Sequence, residues 1–177
     1  MAEHRSFFER VSNHLFAMPL IAQVWAKVAA KRGRGYVDQG EAIPFAPLPA
    51  PLSACRIALI TTGGLHTTTQ QPFDMENPDG DASYRIIPGN ADLAELTITH
   101  KYYDHRDADR DPDILLPLTH IHDLAQHGVL GDVAPRHFSF MGHIDSAQVD
   151  VLLQKTAPEV AAVLQADQVD VVLLTPA

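Results

Sequence analysis

Cysteine is nearly absent: Cys55 is the single thiol in 177 residues. One thiol excludes an internal disulfide, a thiolate zinc centre and vicinal dithiol chemistry. Positive charge is scarce as well. Thirteen Lys and Arg stand against 22 Asp and Glu, a formal charge of −9. That argues against a nucleic-acid groove, which needs a net basic face to release counterions. The local exception, Lys27, Lys31, Arg32 and Arg34, lies near the end of the first predicted helix, where the helix dipole favours cations anyway. Long apolar runs are missing too. The nearest, Ala17 to Ala30, is broken by Pro19, Gln23 and Lys27 and falls short of the ~20 residues that cross a bilayer. Glu3, Glu9 and Arg10 sit where a secretory signal would need a basic start and an apolar core. The expected compartment is the cytoplasm, with neither membrane nor nucleic acid as partner. What is present is ordinary globular material, 46% hydrophobic and 20% charged, enough for one domain.

Residues 1–35 read as an N-terminal helical extension. Phe7, Phe8, Val11, Leu15, Met18, Ala22, Trp25, Val28 and Ala29 recur at helical spacing between Ser6 and Lys31. Pro19 should kink this helix and Gly33 and Gly35 stop it. Residues 36–55 form a linker in which Pro44, Pro47, Pro49 and Pro51 favour an extended, polyproline-like course.

Residues 56–177 read as an α/β domain. Ile57–Thr62 is a buried strand ending at Gly63-Gly64, and Tyr84–Ile87, Leu96–Thr99 and Val129–Ala134 are further strands. Leu118–His127 is a helix with Leu118, Ile121, Leu124 and Ala125 on one face and Gly128 after its end. Thr156-Ala157-Pro158-Glu159 reads as a capping box that opens a second helix burying Val160, Val163 and Leu164. The β-branched run Val169–Leu174 looks like an interior parallel strand. The expected architecture is an open, mainly parallel, doubly wound sheet. It looks incomplete at the C-terminus, because a strand buried on both faces calls for neighbours and a following helix. Ligand sites in such sheets lie just beyond the carboxyl ends of the strands.

Several blocks carry a resemblance. Ala58-Leu59-Ile60-Thr61-Thr62-Gly63-Gly64-Leu65-His66, Pro72-Phe73-Asp74 and Gly80-Asp81-Ala82-Ser83-Tyr84-Arg85-Ile86-Ile87-Pro88 come first. Thr99-His100-Lys101-Tyr102-Tyr103-Asp104, Phe138-Ser139-Phe140-Met141-Gly142 and Val169-Asp170-Val171-Val172-Leu173-Leu174-Thr175-Pro176 follow. In this order and spacing they resemble the selenoprotein B subunits of glycine, sarcosine, betaine and D-proline reductases, over about residues 56 to 177.

The resemblance implies reductive cleavage of a C–N bond in a small amine or amino acid. It implies a selenocysteine or cysteine directly after Ala177 as the redox residue, so that no catalytic residue lies in residues 1–177. It also implies a pyruvoyl group on a partner subunit, other reductase subunits and a thioredoxin-like or selenoprotein reductant, with no cofactor on this chain. A selenol is anionic near neutral pH, where an unperturbed thiol of pKa ~8.5 is mostly protonated. The alternative is a non-catalytic binding or assembly module that keeps the reductase fold.

Within the matching blocks, Gly63, Gly64, His66, Asp81, Ser83, Arg85, His100, Tyr103, Asp104 and Met141 are the candidate substrate-binding residues. Each has a structural reading beside it. Gly63-Gly64 could aim backbone N–H groups at an anion or simply make a tight turn. Arg85 could grip a substrate carboxylate or pair with Asp81, and His100 could shuttle a proton. Cys55 reads as a half-buried apolar filler.

No metal site is expected. His120 and His122 on a helix point about 200° apart. The aspartates 107, 109, 111 and 113 resemble a calcium loop only until its sixth position, Pro112, and its twelfth, Leu118.

Overall fold

The computed structural model describes residues 18–21, 23, 24, 27, 28 and 46–177. Most of the predicted Ser6–Lys31 helix and of the 36–55 linker lies outside them. Residues 19–21, 23, 24, 27 and 28 are helical, and Met18, Leu20, Val24 and Val28 are exposed. Two compact units result: residues before Leu48 with Lys101–Asp104, and Leu48–His100 with His105–Ala177. Among the described residues no helix is long and apolar enough to cross a membrane.

The larger unit is α/β, built on an open sheet. Its strands are β1 (Arg56–Thr61), β3 (Tyr84–Pro88), β5 (Asp132–Val133), β6 (Arg136–Phe140) and β7 (Val171–Thr175), with β2 (Leu65–Thr67) and β4 (Leu96–Ile98) forming a separate antiparallel pair. β1 is the hub. It pairs in parallel with β7 on one side and with β5 and then β6 on the other. β3 closes the far edge antiparallel to β6.

The helices are α1 (Leu118–Gln126), α2 (Ala147–Val151) and α3 (Ala157–Ala166), with a π turn over Leu152–Thr156 joining the last two into one rod. That rod covers one face of the sheet. Phe138, Phe140 and Val160 form its buried core, with Ile60, Tyr84, Ile86, Ile144, Leu152, Val163 and Leu164 packed around them. At the rod's end Asp167 accepts two bonds from Arg136, at 2.8 and 2.6 Å, a bidentate geometry that fixes direction as well as distance.

Several sequence expectations need correction. The capping box does not form. Thr156 is helical, caps nothing and buries a hydroxyl without a hydrogen-bond partner. The rod already begins at Ala147, and the π turn accommodates Pro158, which has no N–H to give a regular ladder. The Val129–Ala134 strand shrinks to Asp132–Val133, with Val129 exposed. There Gly131 lies so close to Ala54 and Cys55 that a Cβ would meet their backbone at 2.6–2.8 Å. The main strand of that region is β6, of which the sequence suggests only an apolar strand end from Phe138 onward. Leu124 is exposed rather than core-facing, whereas Leu118 and Ile121 are buried. Cys55 is wholly buried, not half-buried, its Sγ 3.4 Å from the Ala50 carbonyl.

β7 departs most. It is parallel as expected, but among the described residues it is an edge strand. Val172, Leu173 and Leu174 are 36%, 45% and 66% exposed. Val172 and Leu174 share a face with Ala58 and Ile60, and Leu173 lies on the other, so both faces of β7 present apolar side chains.

Candidate functional site

The carboxyl ends of β1, β6 and β7 converge on the Thr61–Gly64 turn. Strand register sets Arg85, Ser139, Thr61 and Thr175 in one row on one face of the sheet. Hydroxyls therefore line the end of an otherwise apolar sheet. The Thr61 hydroxyl donates to the Thr175 carbonyl at 3.1 Å and accepts from the Gly63 N–H at 3.1 Å. The Thr175 hydroxyl donates to the Leu115 carbonyl at 2.6 Å. Ser139 Oγ is buried with no hydrogen-bond partner. Thr61 and Thr175 are not marked by the sequence as site residues, although each lies in a resembling block. The signal was hydroxyl residues closing apolar strands.

Each expected site residue has a defined place. Gly63 forms a bridge with Met141, which is itself buried, and Gly64 donates its N–H to the Phe140 carbonyl at 2.9 Å. The N–H groups of both glycines are thus engaged within the fold. His66 is buried on β2. Nδ1 lies 2.9 Å from the Thr67 carbonyl and Nε2 2.8 Å from the Thr99 hydroxyl. This geometry suits a neutral ring that donates from Nδ1 and accepts at Nε2. Burial pulls the His66 pKa down, the Thr67 bond opposes this, and the charge of Arg85 adds to the fall.

Asp81, Ser83 and Arg85 form one brace. Asp81 accepts from the Asp74 and Ser83 N–H groups at 2.9 and 2.7 Å. Burial raises its pKa, but these bonds and the nearby Arg85 outweigh burial and leave it below the usual carboxylate value. Arg85 donates to Gln71 O, Ser83 Oγ, Tyr84 O and Pro72 O at 2.7–3.0 Å. It also stacks over Phe73 with 4.2 Å to the ring centre and lies 4.0 Å from Asp81. The guanidinium is thereby committed to shaping the 71–85 loop.

His100 is buried, and burial, helped by the charges of His105 and His143, lowers its pKa to about 3. Tyr103 and Asp104 belong to the other unit.

His137 is a further buried residue that the sequence did not flag. Its Nδ1 accepts the Leu59 backbone N–H at 3.0 Å, a side chain standing in for a ladder carbonyl where β5 gives way to β6. Burial, with His122 nearby, lowers its pKa to about 4, and Nε2 has no hydrogen-bond partner.

His120 and His122 serve separate partners. His120 lies 3.5 Å from Asp113, and His122 Nε2 is 2.7 Å from the Gly89 carbonyl. Asp111 and Asp113 accept backbone N–H groups of the Pro112–Ile114 turn and of Thr119. An open cavity of about 440 Å³ lies at the opposite, amino-terminal end of the sheet. Arg56 in its lining is bound to Asp132 and to the Asp167 carbonyl.

Comparison with known proteins adds the lineage. The model of the glycine/sarcosine/betaine reductase selenoprotein B family matches residues 36–177. The chain belongs to this family. The match begins at residue 36, so it takes in the proline-rich linker that the resembling blocks left out. D-proline reductase subunit gamma of Acetoanaerobium sticklandii is 31% identical over 131 residues, covering 74% of this chain and 52% of that protein. The chain therefore spans about half the length of this relative. No solved structure matches. The family match contains the whole sheet, the Thr61–Gly64 turn and the hydroxyl row.

Proposed function

We propose that this chain forms part of a component B reductase subunit that cleaves a C–N bond in a small amine or amino acid. The nucleophile is a selenocysteine or cysteine directly following Ala177. The observation that carries this reading is the family match across residues 36–177, joined to a β7 whose carboxyl end is bonded to the Thr61–Gly64 turn. The site of an open α/β sheet belongs there. The apolar, exposed faces of β7 support a sheet completed by a further strand and helix into the doubly wound form.

In the proposed reaction the chalcogenolate bonds to carbon as the C–N bond breaks. Nitrogen leaves with the bonding pair and takes up a proton. One thiol of a dithiol reductant then attacks the chalcogen, and carbon departs with the pair and a second proton. The other thiol displaces the chalcogenolate and closes a disulfide. Two thiols are oxidised and one C–N bond is reduced. A pyruvoyl group on a partner subunit is the proposed activator of the amine, and the cytoplasm keeps the dithiol reduced. The Gly63–Gly64 turn with Met141 forms the floor of the site. His66 and the Asp81–Ser83–Arg85 brace hold its wall, and neutral His100 stands behind it.

The test compares protein ending at Ala177 with protein whose frame continues through the nucleophile. Both are assayed with partner subunits and a dithiol on glycine, sarcosine, betaine and proline. The first should give no C–N cleavage above background and the second should turn over at least one substrate. Turnover by the first, or substrate binding without turnover by the second, overturns the reading; the latter result favours the non-catalytic module.

A further inference from the structure

Thr62 grips the end of β7 twice. Its backbone N–H donates to the Thr175 carbonyl at 3.2 Å, and its Oγ1 accepts the Ala177 N–H at 3.1 Å, a contact spanning 115 residues of sequence. Between these two points stands Pro176; the parallel ladder would next bring the Ala177 N–H to the Thr62 carbonyl, but that carbonyl is already taken. The side chain of Thr62 takes over where the ladder stops. Thr62 is itself held: its carbonyl accepts the Gly142 N–H at 2.9 Å. A Cβ on Gly142 would come within 3.2 Å of Thr62 Cβ and 3.4 Å of Oγ1, so Gly142 leaves the room the threonine fills. A β-branched side chain also has few χ1 states, which makes this hydroxyl a stiff anchor.

We propose that Thr62 is a positioning residue: by orienting the Ala177 peptide, it sets the direction in which the residue after it meets the substrate. This inference rests on the proposed reading that the nucleophile follows Ala177. Thr62 touches neither substrate nor reacting atoms and acts through the backbone. Its effect belongs to the chemical step, because a displacement of ~1 Å in a reacting group can cost about a hundredfold in rate.

The experiment uses the full-length subunit in its complex, with Thr62→Val removing the acceptor at nearly constant shape and Thr62→Ser retaining it. Thr62→Val should lower kcat about ten- to a hundredfold with KM within about twofold and an unshifted pH profile. Thr62→Ser should recover kcat to within about threefold. Peptide mapping after alkylation separates the two ideas. A mapped nucleophile after Ala177 with unchanged Thr62→Val kcat overturns the positioning role alone. A matching loss in both variants, or a rise in KM that accounts for the loss, also overturns it. No selenol or thiol directly after Ala177 overturns the parent reading and this inference with it.

Discussion

Gly64→Ala should destabilise the protein by more than about 4 kcal/mol, at the far end of what single substitutions do. Gly64 sits at φ +71°, and an added Cβ would lie 2.4 Å from the Thr99 carbonyl oxygen and 3.1 Å from its carbon. Those are backbone atoms and cannot swing aside. The same two residues share a hydrogen bond from the Thr99 N–H to the Gly64 carbonyl at 2.9 Å, so pushing them apart also opens the β2–β4 pair. Gly128 supplies the comparison. It has nearly the same φ, +70°, but nothing stands within 4 Å of its Cβ position. Gly128→Ala should therefore cost only the left-handed backbone penalty of about 1–2 kcal/mol. Denaturant melts of both variants measure the difference. Equal losses would mean that backbone angle, and not the close approach to β4, governs the turn.

Acid should begin to destabilise the protein before its carboxylates titrate. His137 and His100 are buried neutral, with pKa values of about 4 and about 3, against an unfolded value of ~6.5. Above pH ~6.5 both are neutral in either state and cost nothing. As pH falls below that, the unfolded chain binds protons that the folded chain refuses. The loss is complete only below the folded values. Each group contributes on the order of 3–5 kcal/mol at full effect, against a total of about 5–15 kcal/mol for a domain. Asp81, depressed by its bonds despite burial, and Asp167, depressed by Arg136, lose their contributions only at lower pH.

Near-UV circular dichroism should show cooperative loss of structure between about pH 6 and 4. In His137→Asn a carbonyl oxygen can still accept the Leu59 N–H without titrating, so the midpoint should fall by about half a pH unit. Native spectra persisting at pH 3, or an unmoved midpoint in the variant, would contradict this.

The sequence revealed the parts of the fold whose signals are local. β1 and β3 are short runs punctuated by Gly and Pro, β4 alternates, and α1 carries its period and its terminal Gly128. β6 was only partly legible because Arg136 and His137 open it as adjacent polar residues and confine its alternation to His137–Phe140. Their partners, Asp167 and the Leu59 N–H, lie far away in sequence. The Thr156-x-x-Glu159 pattern misled because it marks a helix start only where the chain is not already helical, and the rod had begun at Ala147. β7 shows the limit of composition. A β-branched run reports that a strand forms, not whether neighbours cover it, and here it has β1 alone as its described partner.

The site follows the same division. Its glycines, His66 and Arg85 stood out as residue types, and Arg85 with Asp81 was one of the two readings left open. The Thr61–Thr175 contact bridges 114 residues, and only the sheet register reveals the hydroxyl row.

Reading the coding DNA beyond the Ala177 codon decides whether a nucleophile follows this strand. An in-frame TGA or a cysteine codon is expected there, followed by an open frame encoding a further strand and helix. Any other codon there, or a TGA with no related frame after it, would contradict that expectation.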